Sequence, residues 1–196
     1  MLKIDILPLG AYQTNCYIIR HSQSKTCCVI DPGYEPDTVL DRAEALGLTI
    51  EAILLTHGHF DHVGAVKEIA AETGCRVFLH ADDLSMPPMM TAGPLYYTDT
   101  YAEGSQLSLA GLSIGVLHTP GHTPGSVCLI AGDALFSGDT LFAGSCGSTA
   151  LPGGDWDEIH RSLRRLAALE ANLKVYPGHG GSSTLHYEKR YNPYIR

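Results

Sequence analysis

Residues Thr56-His57-Gly58-His59-Phe60-Asp61-His62 put three imidazoles and a carboxylate within six positions, directly after the apolar run Ala52-Ile53-Leu54-Leu55. Polar groups this dense at the end of a buried strand need a positive partner, and a metal ion supplies one. His57 and His59, two apart, converge on one ion if the backbone is extended. Asp61 and His62 fall where a helix begins and point elsewhere, which suggests two adjacent ions. Taken singly, each residue has an ordinary use: a surface imidazole, Asp61 as a helix N-cap, Gly58 as turn punctuation. Taken together, the cluster has few physical uses besides metal binding.

The elements that must hold such a cluster follow from hydrophobic periodicity. Leu2, Ile4 and Ile6 alternate with Lys3 and Asp5 as a half-buried strand, and Cys16–Ile19 and Cys27–Ile30 give two more. Pro36–Leu46 reads as a helix with Val39, Leu40, Ala43 and Leu46 on one face, stopped by Gly47. The strand Ala52–Leu55 then delivers the cluster, and helical spacing resumes from Val63 to Thr73 before the strand Cys75–Leu79. From Ala81 to Glu103 periodicity is lost, and an irregular segment of that length is expected to form a wall or lid, or else a plain structural excursion. Strands at Gln106–Leu109, Leu112–Leu117, Val127–Ile130 and Ala134–Phe136 follow. A helix from Asp155 to Leu169, with Trp156, Ile159, Leu163 and Leu166 facing inward, precedes the strand Leu173–Tyr176.

The same grammar, a strand and then a metal-type residue, recurs after Leu55, Leu117, Phe136 and Tyr176. Strand-end loops are where α/β proteins place chemistry, because the sheet holds the residues still.

Composition narrows the function. The 196 residues, 44% of them hydrophobic, suffice for one substantial core, so residues 1–196 are expected to form a single domain. A net charge of -8 argues against a broad nucleic-acid or anionic-membrane surface. No apolar run has membrane-span length and Met1–Asp5 lacks a secretion signal's apolar region, so a cytoplasmic location is expected. The six cysteines lack paired C-x-x-C spacing; most read as small buried apolar residues, while Cys146 is either a reactive thiol or a packed one.

The ordered set of motifs resembles the metallo-β-lactamase superfamily and, within it, the glyoxalase II-like (hydroxyacylglutathione hydrolase-like) branch. It comprises His57-x-His59-x-Asp61-His62, Pro120-Gly121-His122-Thr123-Pro124-Gly125-Ser126, Phe136-Ser137-Gly138-Asp139-Thr140, Leu151–Asp155 and Tyr176-Pro177-Gly178-His179-Gly180. Thr14-Asn15-Cys16-Tyr17, Asp31-Pro32-Gly33, Glu188-Lys189 and Asn192-Pro193 fit the same branch. The resemblance implies an α/β fold, a four-layer αβ/βα sandwich, in a short form without the helical C-terminal domain. It further implies that His57, His59 and His122 hold one ion, that Asp61, His62 and His179 hold a second, and that Asp139 bridges them. His118 falls outside the pattern, and Asp31 and Thr56 lie beside the ligand loops.

Imidazole and carboxylate donors suit Zn²⁺, with Fe and Mn as other candidates, and two adjacent ions can share a hydroxide near neutral pH. The expected reaction is hydrolysis of a small-molecule acyl thioester such as S-lactoylglutathione, with Asp61 orienting the hydroxide or receiving its proton. Relatives typically carry a basic residue and an Asp where Ser148 and Ala150 stand here, so the resemblance stops short of a cation for the glutathione carboxylate. The alternative is a persulfide dioxygenase-like oxidation at a single iron. Phosphodiester hydrolysis is disfavoured by the acidic balance, and β-lactam hydrolysis by Asp61, Asp139 and the missing export signal.

Overall fold

The computed structural model describes residues 1–195, which form two six-stranded sheets packed face to face with helices on both outer faces. The first sheet contains β1 (Leu2–Leu9), β2 (Thr14–His21), β3 (Thr26–Ile30), β4 (Thr49–Leu54), β5 (Arg76–His80) and β6 (Asp99–Tyr101), in that order. The β1–β2 and β2–β3 pairs are antiparallel, and β3 to β6 run parallel. Parallel neighbours need crossovers. Helix α1 (Pro36–Ala45) makes the first, and α2 (Phe60–Val63) with α3 (Val66–Thr73) makes the second.

After the short helix α4 (Pro88–Thr91) come β7 (Gln106–Leu109), β8 (Leu112–His118), β9 (Val127–Ala131) and β10 (Ala134–Gly138), an antiparallel run. A small hairpin, β11 (Leu141–Phe142) and β12 (Ser145–Cys146), and helix α5 (Trp156–Ala167) lead to β13 (Lys174–Pro177), which pairs parallel with β10. β14 (Ser183–Thr184) and helix α6 (Leu185–Tyr191) complete the second sheet and its cover.

Both faces of the central strands are apolar, as strands buried between two layers require. On β4, Ile53 faces α1 and α3 through Val39, Ala43, Val66 and Ile69, while Ala52 and Leu54 face the second sheet. On β10, Ala134 and Phe136 point between the sheets and Leu135 meets Ile159, Leu163 and Leu166 of α5. The result is the expected four-layer αβ/βα sandwich. Among the described residues no helix is long and apolar enough to cross a membrane.

Three local expectations are corrected. The helix expected from Val63 to Thr73 is broken, because the Ala65 amide donates to Pro32 O at 3.0 Å instead of continuing the helical ladder. Trp156 does not face inward: it begins α5, is 49% exposed, and lies beside His160 and Tyr194, so the buried stripe starts at Ile159. The stretch from Ala81 to Glu103 carries a 3₁₀ turn at Ala81–Ser85, α4 and the edge strand β6.

Phe136 is fully buried between the sheets, with ring centroids 5.1 Å from Tyr17 and 5.4 Å from Tyr176. Phe136→Ala opens a cavity there and is expected to cost about 3–5 kcal/mol, read as a lower urea midpoint at unchanged m-value.

Candidate metal centre

The four loops meet at one edge of the sandwich, laced by backbone hydrogen bonds. The Val127 amide donates to Thr56 O at 2.8 Å, Gly178 N to Gly138 O at 2.8 Å, and Asn15 N to Gly178 O at 2.7 Å. Asn15 Nδ2 also donates to Pro177 O and Gly180 O, and the Tyr17 hydroxyl donates to Pro177 O at 2.6 Å, so the early Thr14–Tyr17 motif positions the last loop. Gly178 is required by contact: a Cβ there would lie 2.1 Å from Asp139 Oδ1 and 2.7 Å from the His62 ring.

The structure brings all seven sequence-predicted residues together. The ligand-type atoms of His57, His59 and His122 lie within 4.8 Å of one another, as do those of Asp61, His62 and His179. Asp139 stands between the two sets, with Oδ1 3.4 Å from His62 Nε2 and Oδ2 3.5 Å from both His122 Nε2 and His179 Nε2.

Four imidazoles are aimed by what their outer nitrogens do. His122 Nδ1 donates to Ser148 O at 2.7 Å, His179 Nδ1 to Tyr12 O at 3.2 Å, and His62 Nδ1 to Asp31 Oδ2 at 2.9 Å. His57 Nδ1 lies 3.1 Å from Thr56 Oγ1, whose own proton goes to Asp31 Oδ2. Each outward bond leaves an Nε2 lone pair directed inward. His59 differs, presenting Nδ1 2.9 Å from His122 Nε2. Asp31 accepts from Thr56 N, Thr56 Oγ1 and His62 Nδ1, so it holds the cluster from behind.

The electrostatics mark the same point. Burial, then the neighbouring imidazoles, pushes His57 well below the ordinary imidazole range and His59 down to about 4, so both are neutral. Burial would lower His62 as well, but Asp139, Asp31 and Asp61 outweigh it and raise it to about 9. Burial would raise Asp61, yet the His179 hydrogen bond and the His62 charge hold it well below the usual carboxylate range. His57 Nε2, His59 Nε2 and Asp139 Oδ1 are buried with no hydrogen-bond partner. Buried polar atoms without partners are costly, and a cation between His57 Nε2 and Asp139 Oδ1 would remove the cost for those two. The residues therefore fit a metal.

Asp83 lies outside the expected set. Fully buried, it accepts from Gly58 N at 2.7 Å, Gly125 N at 2.6 Å and Thr123 Oγ1 at 3.1 Å, tying the His57–His59 loop to the His122 loop. A signal existed in the sequence, since His80 ends β5 and Asp82-Asp83 follow in the strand-then-polar pattern. His80, Asp82 and His118 also cluster, but the two rings stack with centroids 4.1 Å apart and planes 8° from parallel. Nearly parallel planes share no nearby point for both lone pairs, and His118 Nε2 donates to Pro124 O at 2.8 Å. His118 is thus structural. Cys146 packs against the α5 core, does not line the metal cavity, and has its thiol pKa raised by burial, so it is the packed thiol.

Asp83→Asn keeps the volume but sets an amide against backbone donors. The expected outcome is a loss of about 1–3 kcal/mol of stability in chemical denaturation. Because the ligand loops loosen, Zn²⁺ affinity measured by chelator competition is expected to fall about 10- to 100-fold.

Comparison with known proteins agrees with this geometry. Residues 9–179 match the metallo-beta-lactamase superfamily. The chain is 34% identical to hydroxyacylglutathione hydrolase GloC of Haemophilus influenzae over 209 residues, covering 99% of this chain and 98% of the relative. Among solved structures, BLEG-1 B3 metallo-beta-lactamase superposes with a TM-score of 0.88 at 33% identity, covering 100% of this chain and 99% of that one. TTHA1623 in a di-iron-bound form gives 0.85 at 38% identity, covering 97% and 99%. ETHE1 from Myxococcus xanthus gives 0.84 at 27% identity, covering 97% and 83%. With its strand-end loops, its histidine and aspartate clusters and these matches together, the chain belongs to the metallo-β-lactamase superfamily.

Proposed function

We propose that this protein is a binuclear metallohydrolase that cleaves an acyl thioester. The carrying observation is the pair of ligand-type triads with Asp139 standing between them, His57 Nε2 and Asp139 Oδ1 being buried with no hydrogen-bond partner. His57, His59 and His122 would hold one ion, Asp61, His62 and His179 the other, and Asp139 both. Nitrogen and oxygen donors in this ratio suit Zn²⁺, and the di-iron relative keeps iron in view. Bound ions supply Lewis acidity toward a carbonyl and a water ionised near neutral pH.

The chain's own residues do the rest. Asp61 Oδ2 receives Thr14 Oγ1 at 3.2 Å and lies 3.3 Å from His179 Nε2, so this carboxylate is fixed to orient a water or take its proton. Asp31 and Thr56 fix the tautomers of His62 and His57. Phe60, Met90 and Phe142 restrict solvent around the reacting carbonyl. The similarity to a named hydroxyacylglutathione hydrolase supports a thioester as the reacting group. The acid-rich composition supports a small molecule over nucleic acid. The same loops would serve oxidation at a single iron, the alternative reading.

Metal-loaded protein is expected to contain two ions per chain and to release free thiol from S-lactoylglutathione or another acyl thioester. Asp61→Asn should lower kcat by roughly 10²- to 10⁴-fold, and Asp139→Ala should cost at least one ion by elemental analysis. One iron per chain with oxygen uptake and no thiol release would select the alternative.

A further inference from the structure

Above the ligand cluster opens a cavity of about 590 Å³, and its walls differ in kind from its floor. The floor is His59, Asp61, His122, Asp139 and His179. The walls are apolar: Tyr12 and Phe60 meet edge to face at 5.5 Å on one side, and Phe142 and Leu151 stand with Met89 and Met90 of α4 on the others. Among the described wall residues the polar groups are Ser148, whose carbonyl is already bonded to His122, and the Tyr12 hydroxyl. Among the described residues, none that lines the cavity is Lys or Arg.

The wall is built as part of the fold. Phe142 lies on the β11–β12 hairpin, which Asn192 and Glu188 fasten: Asn192 Nδ2 donates to Ser145 O at 2.9 Å, and Gly144 N to Glu188 Oε2 at 2.8 Å. Met90 is buried while Met89, next to it, is 78% exposed at the rim. Unbranched methionines adapt to apolar shapes of varied outline. A contiguous exposed apolar rim marks a place where an apolar group is received.

Resting on the thioester-hydrolase reading, we propose that the site selects uncharged thioesters whose acyl or thiol part is an apolar chain or ring lying against Met89, Phe142 and Leu151. A peptide thiol with free carboxylates would leave those charges beside apolar walls with no cation to receive them. An apolar chain gains from the same walls in proportion to the area it covers. Met89, Phe142 and Leu151 are therefore specificity-determining residues, and the ligand cluster below is indifferent to the choice.

The test uses metal-loaded protein and two series of thioesters. One pairs acyl chains of increasing length with an uncharged small thiol, and the other pairs the same chains with glutathione. The expected result is thiol release from both, with kcat/KM rising with chain length and higher for the uncharged series by roughly 10- to 200-fold. The matching thioethers, which cannot be cleaved, should bind in the same order by calorimetry, with a negative heat-capacity change. Met89→Lys, at a rim position that is 78% exposed, should raise KM for the uncharged series and lower it for the glutathione series. Equal or better use of the glutathione series by the unaltered protein, or binding independent of chain length, would overturn the selectivity and leave the hydrolase reading standing. Absence of thiol release from every member would instead remove the hydrolase reading, and the selectivity with it.

Discussion

Electron-pair crowding at one edge of the sandwich is the constraint on which the structure turns. Four imidazoles are compelled, by bonds on their far sides, to aim lone pairs at a common space already occupied by Asp61 and Asp139. Without a positive charge such an arrangement repels itself and strands buried acceptors. The carboxylates of Asp139, Asp31 and Asp61 raise the pKa of His62 against its burial, the direction expected where negative charge is crowded. The two sheets, the glycine contacts and the lacing hydrogen bonds are what hold this arrangement against its own repulsion.

Behind it stands a ring of groups whose work is orientation. Asp31 spends its carboxylate on three donors and Asp83 on three others, and neither adds a lone pair to the central space. Their burial is tolerable because every acceptor is used, and the loops they join come from different strands. An outer carboxylate that fixes an imidazole tautomer sets both its direction and its basicity. Precision here comes from the scaffold more than from the loops.

Much of this was legible in the residues themselves. The ligand loops declare themselves because each is contiguous and each follows an apolar strand, so His57, Asp139 and His179 could be placed at strand ends from pattern alone, whereas after Leu117 the pattern offered His118 first and the family resemblance singled out His122. The layers were legible for the same reason, since the central strands read as continuous apolar runs. The apolar wall was legible only as one of two readings of the Ala81–Glu103 stretch, because Met89 and Met90 sit where period is lost and their position is set by the pairing of β6 with β5 and by the anchorage of Asp83. Trp156 was misplaced because helical spacing extends one turn beyond the point where the neighbouring core ends. The β11–β12 hairpin and β14 are two residues each, too short for alternation to register.

The lacing of Asn15 and Tyr17 to Pro177, residues 162 and 160 positions apart, has a consequence for how the molecule comes into being. During synthesis the β1–β2 hairpin can pair early, but Asn15 and Tyr17 have nothing to grip until β13 leaves the ribosome. Closure over so long a separation is slow and comes late in assembly. His179 arrives by that same step, so a nascent polypeptide has the trio His57, His59 and His122 before the trio Asp61, His62 and His179 is whole. Cation uptake by the second trio would then serve as a chemical timestamp of the finished fold.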